Sequence, residues 1–291
     1  GSDLCLNQPD SIVEWMRNGT WSKSKNYGEG SKNKPGFPKQ PEWFKDAIKI
    51  QPVDKIIENP LGNISYSKWS SPSDTNNLIV LIHGTGAHKK WWDPIAPQFL
   101  DHSSVIAIDL PGMGESGFRD KYGIKDFGEC ITSVIEKEQS KTNIKNIHIV
   151  GHSLGGQVAG YVASERQDLI DNIIIIDTFI RPPDYNPAEH QGGPLRMIKY
   201  YSDKITILNR FRLMPKQDCE NDWFVRYIAE YSVKETDQGW RWRFDDVIDG
   251  TATELVETTM YVLAFTMPIS IISFIITLIL CLPKNRNKLN G

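Results

Sequence analysis

The chain has 291 residues, with 33 Lys and Arg against 36 Asp and Glu and a formal net charge of −3. That length suits one large α/β domain, and a pI of about 6.1 without a basic cluster argues against a nucleic-acid partner. Four cysteines, Cys5, Cys130, Cys219 and Cys281, lack metal-ligand spacing, so no metal is expected.

Residues 1–40 open the chain. Of these, 17–40 are rich in Gly, Asn, Lys, Ser and Pro and read as a flexible lead-in or a loop wrapped on the surface. The α/β core is expected over 41–177. Val53 to Glu58 and Asn63 to Trp69 read as two strands joined by the turn Asn59-Pro60-Leu61-Gly62. The apolar run Leu78 to Ile82 is a short buried strand, ended by His83-Gly84-Thr85-Gly86. His83 reads as a structural loop residue rather than a proton carrier. Helix is expected near Ile95 to Leu100. Val105 to Asp109 is the next strand, and Asp109 is expected to organise the following turn by accepting from backbone N–H groups. Glycine-rich turns after strands can cradle phosphate, but Pro111 interrupts this one, and no cofactor is expected. Helix follows from Ile124 to Lys141.

The stretch 146–156 carries the most information. Asn146 to Val150 reads as a buried strand ending at Gly151-His152-Ser153-Leu154-Gly155, which fits G-x-S-x-G, and a helix follows from Leu154 to about Arg166. A serine at such a corner is forced into a tight, strained turn that projects its hydroxyl above the sheet edge. Gly151 and Gly155 leave room for the turn, and the Leu154 N–H, at a helix N-terminus, can face a developing oxyanion. Asn172 to Asp177 is another parallel-type strand, apolar because both faces would be covered.

His83-Gly84, Asp109 to Ser116 and Gly151 to Gly156, in this order and spacing, resemble the α/β-hydrolase superfamily. Pro41 to Phe44, Trp91 to Pro97, Arg181 to Asp184, Arg210 to Pro215 and Gly239 to Asp245 also fit one branch of it. The resemblance covers about residues 41 to 246. It implies a doubly wound, mostly parallel sheet with a helical cap over a Ser-His-acid site. It also makes Ser153 the expected nucleophile of acyl-transfer chemistry, where related epoxide hydrolases and dehalogenases use Asp. The Thr85 and Leu154 amides become the expected oxyanion hole. Asp177, on the same sheet edge as Ser153, is the candidate acid, against a purely structural role.

Residues 178–250 are the expected cap, rich in Pro, Trp, Arg and Tyr and without clear strand alternation. Trp223, Trp240 and Trp242 are expected to pack it rather than line a pocket. The family pattern then stops: the strands and the loop that would carry the catalytic His do not follow Asp249. Residues 251–291 instead contain Met260 to Leu282 without one charged residue, followed by Lys284, Arg286 and Lys288. As a helix this run could span a membrane once, with the C-terminus cytoplasmic. A buried core helix, a hairpin of two apolar strands and non-homologous sequence are the competing readings.

A serine needs a base, and the base an orienting acid. His83, His88, His102, His148, His152 and His190 are the histidines. His88 and His190 are remote candidates for the base, and the His152 side chain is expected to point away from Ser153. Two functions stay open. One is a serine hydrolase for an ester or similar acyl substrate, impaired by an incomplete triad. The other is a non-catalytic, hydrolase-derived binding protein, membrane-anchored or truncated.

Overall fold

The structure, a computed structural model, describes residues 40–178, 199–213, 219 and 221–245. The chain enters through helix α1 (Glu42–Lys49), whose buried Phe44, Ala47 and Ile48 lie on one face. Strands β1 (Val53–Ile57), β2 (Ile64–Trp69), β3 (Asn77–Ile82) and β4 (Ser104–Ile108) follow. Helix α2 (Ile124–Gln139), β5 (Asn146–His152), helix α3 (Leu154–Glu165) and β6 (Asn172–Ile176) complete the core. The sheet order is β1-β2-β4-β3-β5-β6. β1, β2 and β4 pair antiparallel, whereas β4, β3, β5 and β6 run parallel.

The central strands are continuous apolar runs because both faces are covered. Leu78, Val80, Ile82, Ile106 and Ile108 pack with α2 and α3 residues such as Phe127, Ile131 and Val158. Leu81, Val105 and Ala107 face the other way, against Trp69, Ala96 and Leu100. That second layer is built of 3₁₀ turns at Lys89–Trp92 and Ala96–Phe99, where the sequence suggests a helix near 95–100. Pro97 in the second turn, with no amide hydrogen to donate, fits so short a turn.

Two expectations need correction. The run Asn172 to Asp177 is a parallel strand as expected, but its faces are not both covered: Ile174 is 55% exposed on β6, the last strand among the described residues. The region expected to be a helical cap holds α4 (Lys204–Leu208) and α5 (Asp222–Tyr231), but also an antiparallel hairpin, β7 (Val233–Thr236) and β8 (Gly239–Trp242). Each strand is four residues long, too short for alternation to stand out. Trp240 and Trp242 pack against Ile207, Leu208 and Val233, and Trp223 packs against Phe44 of α1, as expected for cap-packing residues. The lead-in 1–39, His190 and the apolar run 260–282 lie outside the described residues. Among those described, no helix is long and apolar enough to cross a membrane.

Candidate active site

Ser153 sits between the end of β5 and the first residue of α3, with φ 53° and ψ −119°. A non-glycine residue rarely holds that conformation, which costs of order 1–3 kcal/mol and persists only when its surroundings over-determine it. Here they do. The Ser153 N–H donates to Ile176 O at 2.9 Å, and the Ser153 carbonyl accepts from Gly156 N–H at 2.9 Å. Three glycines make the corner possible. A Cβ on Gly151 would overlap the Gly155 carbonyl, and one on Gly156 would overlap the Thr178 hydroxyl. A Cβ on Gly155 would stand 2.5 Å from Ile82 O and 2.6 Å from His83 O, so this glycine lets α3 dock on the end of β3.

The loop after β3 reaches the same corner. A Cβ on Gly84 would lie 3.0 Å from Ser153 Cβ and 3.0 Å from His152 Nδ1. Thr85 follows it and is exposed, while Leu154 is buried at the helix start. Neither the Thr85 nor the Leu154 N–H has a hydrogen-bond partner among the described residues. For Leu154 this is the ordinary state of a helix N-terminus, an orphan donor at the positive end of the dipole. Asp177, exposed and with φ 47°, ends β6 beside the elbow. Its carboxylate acts on His152, whose pKa burial depresses and Asp177 pulls back up.

Three other described histidines are committed elsewhere, and the fourth, His102, is exposed in the connection before β4. His83 Nδ1–H donates to Gly84 O at 2.8 Å, and its Nε2 accepts from Leu110 N–H at 3.1 Å. Both nitrogens are used and burial lowers the pKa, so His83 is a neutral brace of the loop, as the sequence suggests. His88 is buried and turns to the cap. Its Nε2 lies 3.2 Å from Ile228 O and 3.0 Å from Ser232 Oγ, and burial drives its pKa well down. His148 Nδ1 meets the Asn172 side chain at 3.1 Å, within the sheet. Ser153 Oγ has no hydrogen-bond partner among the described residues.

Beneath the loop lies a charge cluster built around the buried Lys89 and Asp109, which sequence reasoning missed. Lys89, 1% exposed, donates to Ser65 Oγ and Glu115 Oε2 at 2.6 Å each, and stands 3.4 Å from Asp109 Oδ2. Burial alone would lower its pKa, but Asp109, Glu115 and Asp54 raise it, so the ammonium persists. Asp109 accepts from Lys89 N–H at 2.6 Å and Glu115 N–H at 2.9 Å, which is the turn-organising role expected of it. Gly112, Gly114 and Gly117 stand at G-x-G-x-x-G spacing, a match the sequence reading passes over. Their loop is folded on itself: Gly112 N–H donates to Gly117 O at 2.9 Å and Gly117 N–H to Asn63 O at 2.7 Å. With those amides engaged and α2 beginning only at Ile124, the loop is not a phosphate cradle.

The cap is latched over this region. Tyr227 of α5 donates to Asp93 Oδ2 at 2.5 Å, and Tyr122 donates to Asp245 Oδ2 at 2.6 Å. Phe244 pairs with Met113 and lies against Gly86, next to Thr85. No sequence signal marks Asp93 as buried, because its partner is 134 residues away.

A mostly parallel sheet with a strained serine at a strand–helix corner, facing a glycine loop from the neighbouring strand, defines an α/β-hydrolase type of fold. Comparison with known proteins agrees. Residues 77–198 match the family model described as alpha/beta hydrolase fold. The chain is 37% identical over 102 residues to a pimeloyl-acyl-carrier protein methyl ester esterase of Pseudoalteromonas atlantica, covering 34% of this chain and 36% of that protein. It is 35% identical over 141 residues to the abhydrolase domain-containing protein abhd-5.2 of Caenorhabditis elegans, covering 45% and 31%. The chain thus spans about a third of the length of these relatives. A solved thioesterase domain from the curacin biosynthetic pathway shares the fold with a TM-score of 0.54 and 24% identity, over 68% of this chain and 74% of that one. The described core thus has the alpha/beta hydrolase fold.

Proposed function

We propose that this protein is a serine hydrolase of the carboxylic ester class, acting on a small ester or similar acyl substrate. Ser153 is the nucleophile, the Thr85 and Leu154 amides form the oxyanion hole, and Asp177 is the acid. The observation that carries this reading is the left-handed Ser153 at the β5–α3 corner with Gly84 packed against it. Backbone strain at a single polar residue, held by surrounding hydrogen bonds, is a signature of a reactive position. The two amides are donors that no described residue engages, as an oxyanion hole requires. The methyl ester esterase named among the relatives supports an acyl ester substrate.

A second reading is a hydrolase-derived binding protein that keeps the acyl site without turnover. What favours it is that Ser153 Oγ meets no imidazole among the described residues, with His83 and His88 bonded elsewhere. On either reading, the run 260–282 is proposed to anchor the protein in a membrane through a single span, with the C-terminus cytoplasmic.

A fluorophosphonate probe and a panel of activated acyl esters test the choice, with Ser153→Ala as control. Stoichiometric labelling and turnover that vanish in Ser153→Ala support the hydrolase. Binding of a fatty-acyl ligand without labelling or turnover supports the binding protein.

A further inference from the structure

We propose that Thr178 is a positioning residue for Ser153: its hydroxyl, seated in the space that Gly156 leaves, clamps the elbow carbonyl and holds the serine in its left-handed turn. The proposal rests on the reading of Ser153 as nucleophile and adds a residue that the G-x-S-x-G pattern does not contain.

Thr178 Oγ1 lies 3.0 Å from Ser153 O and 3.2 Å from Ile176 O, so its single proton is shared between two carbonyls. Ile176 O in turn accepts the Ser153 N–H at 2.9 Å. Both backbone polar groups of Ser153 are therefore tied to the end of β6, one directly and one through the threonine hydroxyl, which adds to the Gly156 and Gln157 N–H groups that donate to the same carbonyl at 2.9 and 3.3 Å. The chain reaches this arrangement by turning through the left-handed region at Asp177, φ 47°, directly between the two anchoring residues. Ser153 and Asp177 are the described non-glycine residues with positive φ, and one hydrogen-bonded knot joins them. The site is also fitted in shape. A Cβ on Gly156 would overlap Thr178 Oγ1 and stand 3.0 Å from both Thr178 Cβ and Ile175 Cγ2, so the second glycine of the Gly155-Gly156 pair leaves the room that the threonine hydroxyl fills. A serine freed from the clamp can relax toward an ordinary φ, which moves its hydroxyl relative to the Thr85 and Leu154 amides. Displacements near 1 Å cost reactivity of about 100-fold.

The test compares Thr178→Val, which keeps the shape and loses the donor, with Thr178→Ser, which keeps the donor. Three quantities are read: the second-order rate of fluorophosphonate labelling of the full chain against Ser153→Ala, the melting temperature, and hydrogen exchange of the Ser153 amide. Thr178→Val is expected to label about 10- to 100-fold more slowly with Ser153 amide exchange at least about 10-fold faster, and Thr178→Ser to stay within about 3-fold on both. Equal labelling and unchanged exchange in Thr178→Val would overturn the proposal. If the wild type labels no faster than Ser153→Ala, the nucleophile reading fails, and exchange alone decides the clamp. Should Thr178→Val not fold, the pair Gly156→Ala and Gly156→Ala/Thr178→Gly decides. The added methyl should slow labelling and speed exchange by itself, and removing the threonine side chain should relieve its overlap and restore folding without restoring either. Full recovery of both in the double variant would show that the hydroxyl holds nothing.

Discussion

Ser153 and Asp177 are coupled through one carbonyl: Ile176 O accepts the Ser153 N–H at 2.9 Å, and the chain turns left-handed at Asp177 immediately afterwards. The nucleophile candidate and the acid candidate therefore share a backbone anchor at the same sheet edge. Strain at one is held by the geometry of the other.

That strain should be measurable. Ser153→Gly removes the side chain that disfavours φ 53° and is expected to stabilise the fold by about 1 kcal/mol, while Ser153→Ala, which keeps a Cβ, leaves stability close to wild type. Urea denaturation of the three proteins checks this. A Ser153→Gly protein no more stable than Ser153→Ala would mean that the turn costs nothing.

The glycines of the site should separate by what their Cβ would meet. Gly155→Ala drives a methyl to 2.5 Å from Ile82 O, against backbone that cannot yield, and is expected to cost about 3 kcal/mol or more. Gly86→Ala meets nothing nearer than Phe244 at 3.8 Å and carries only the penalty of its φ of 71°, about 1–2 kcal/mol. Melting temperatures of the two variants should rank in that order.

Lys89 and Asp109 are both buried, and the half-exposed Asp54 and Glu115 close the ring of carboxylates around the ammonium. Lys89→Met leaves the buried Asp109 without its cation, while Glu115, half exposed, keeps Arg243 at 3.4 Å, and is expected to destabilise by about 3 kcal/mol, far beyond the effect of an exposed lysine such as Lys125. Chemical denaturation of both variants tests the contrast. A Lys89→Met protein within about 1 kcal/mol of wild type would show that the cluster is not coupled.

Asp93 gives the fold a pH signature. Burial raises its pKa from 3.8 to about 6, opposed by Lys90 and by the Tyr227 hydrogen bond. Because the folded state holds this proton more tightly than the unfolded chain does, the stability contributed by Asp93 is greatest below pH 4. It falls as pH rises through about 6, by about 3 kcal/mol in total. The difference in unfolding free energy between wild type and Asp93→Asn, followed from pH 4 to pH 7.5, should trace that fall. A flat difference would mean that Asp93 is ionised throughout.

The run 260–282 predicts behaviour in extraction. The full chain is expected to partition into membranes and need detergent for release, and a chain ending before Met260 is expected to stay in the aqueous phase. Recovery of the full chain as a monomer without detergent would remove the anchor proposal.

Much of the core was legible from residues alone. Apolar runs at 78–82, 105–108 and 146–150 meet glycine-rich corners, and such local punctuation fixes strand ends, the β5–α3 turn and the Asp109-centred loop because it acts within a few residues of itself. The cap hairpin escaped because four-residue strands carry almost no period. Lys89, Asp93 and Thr178 escaped for another reason. A lysine before two tryptophans, an aspartate after them and a threonine after a strand are unremarkable until the fold brings Glu115, Tyr227 and Ser153 against them. Local conformational preference is written in neighbouring residues, but the pairing of a buried charge or hydroxyl belongs to partners that only the tertiary structure selects.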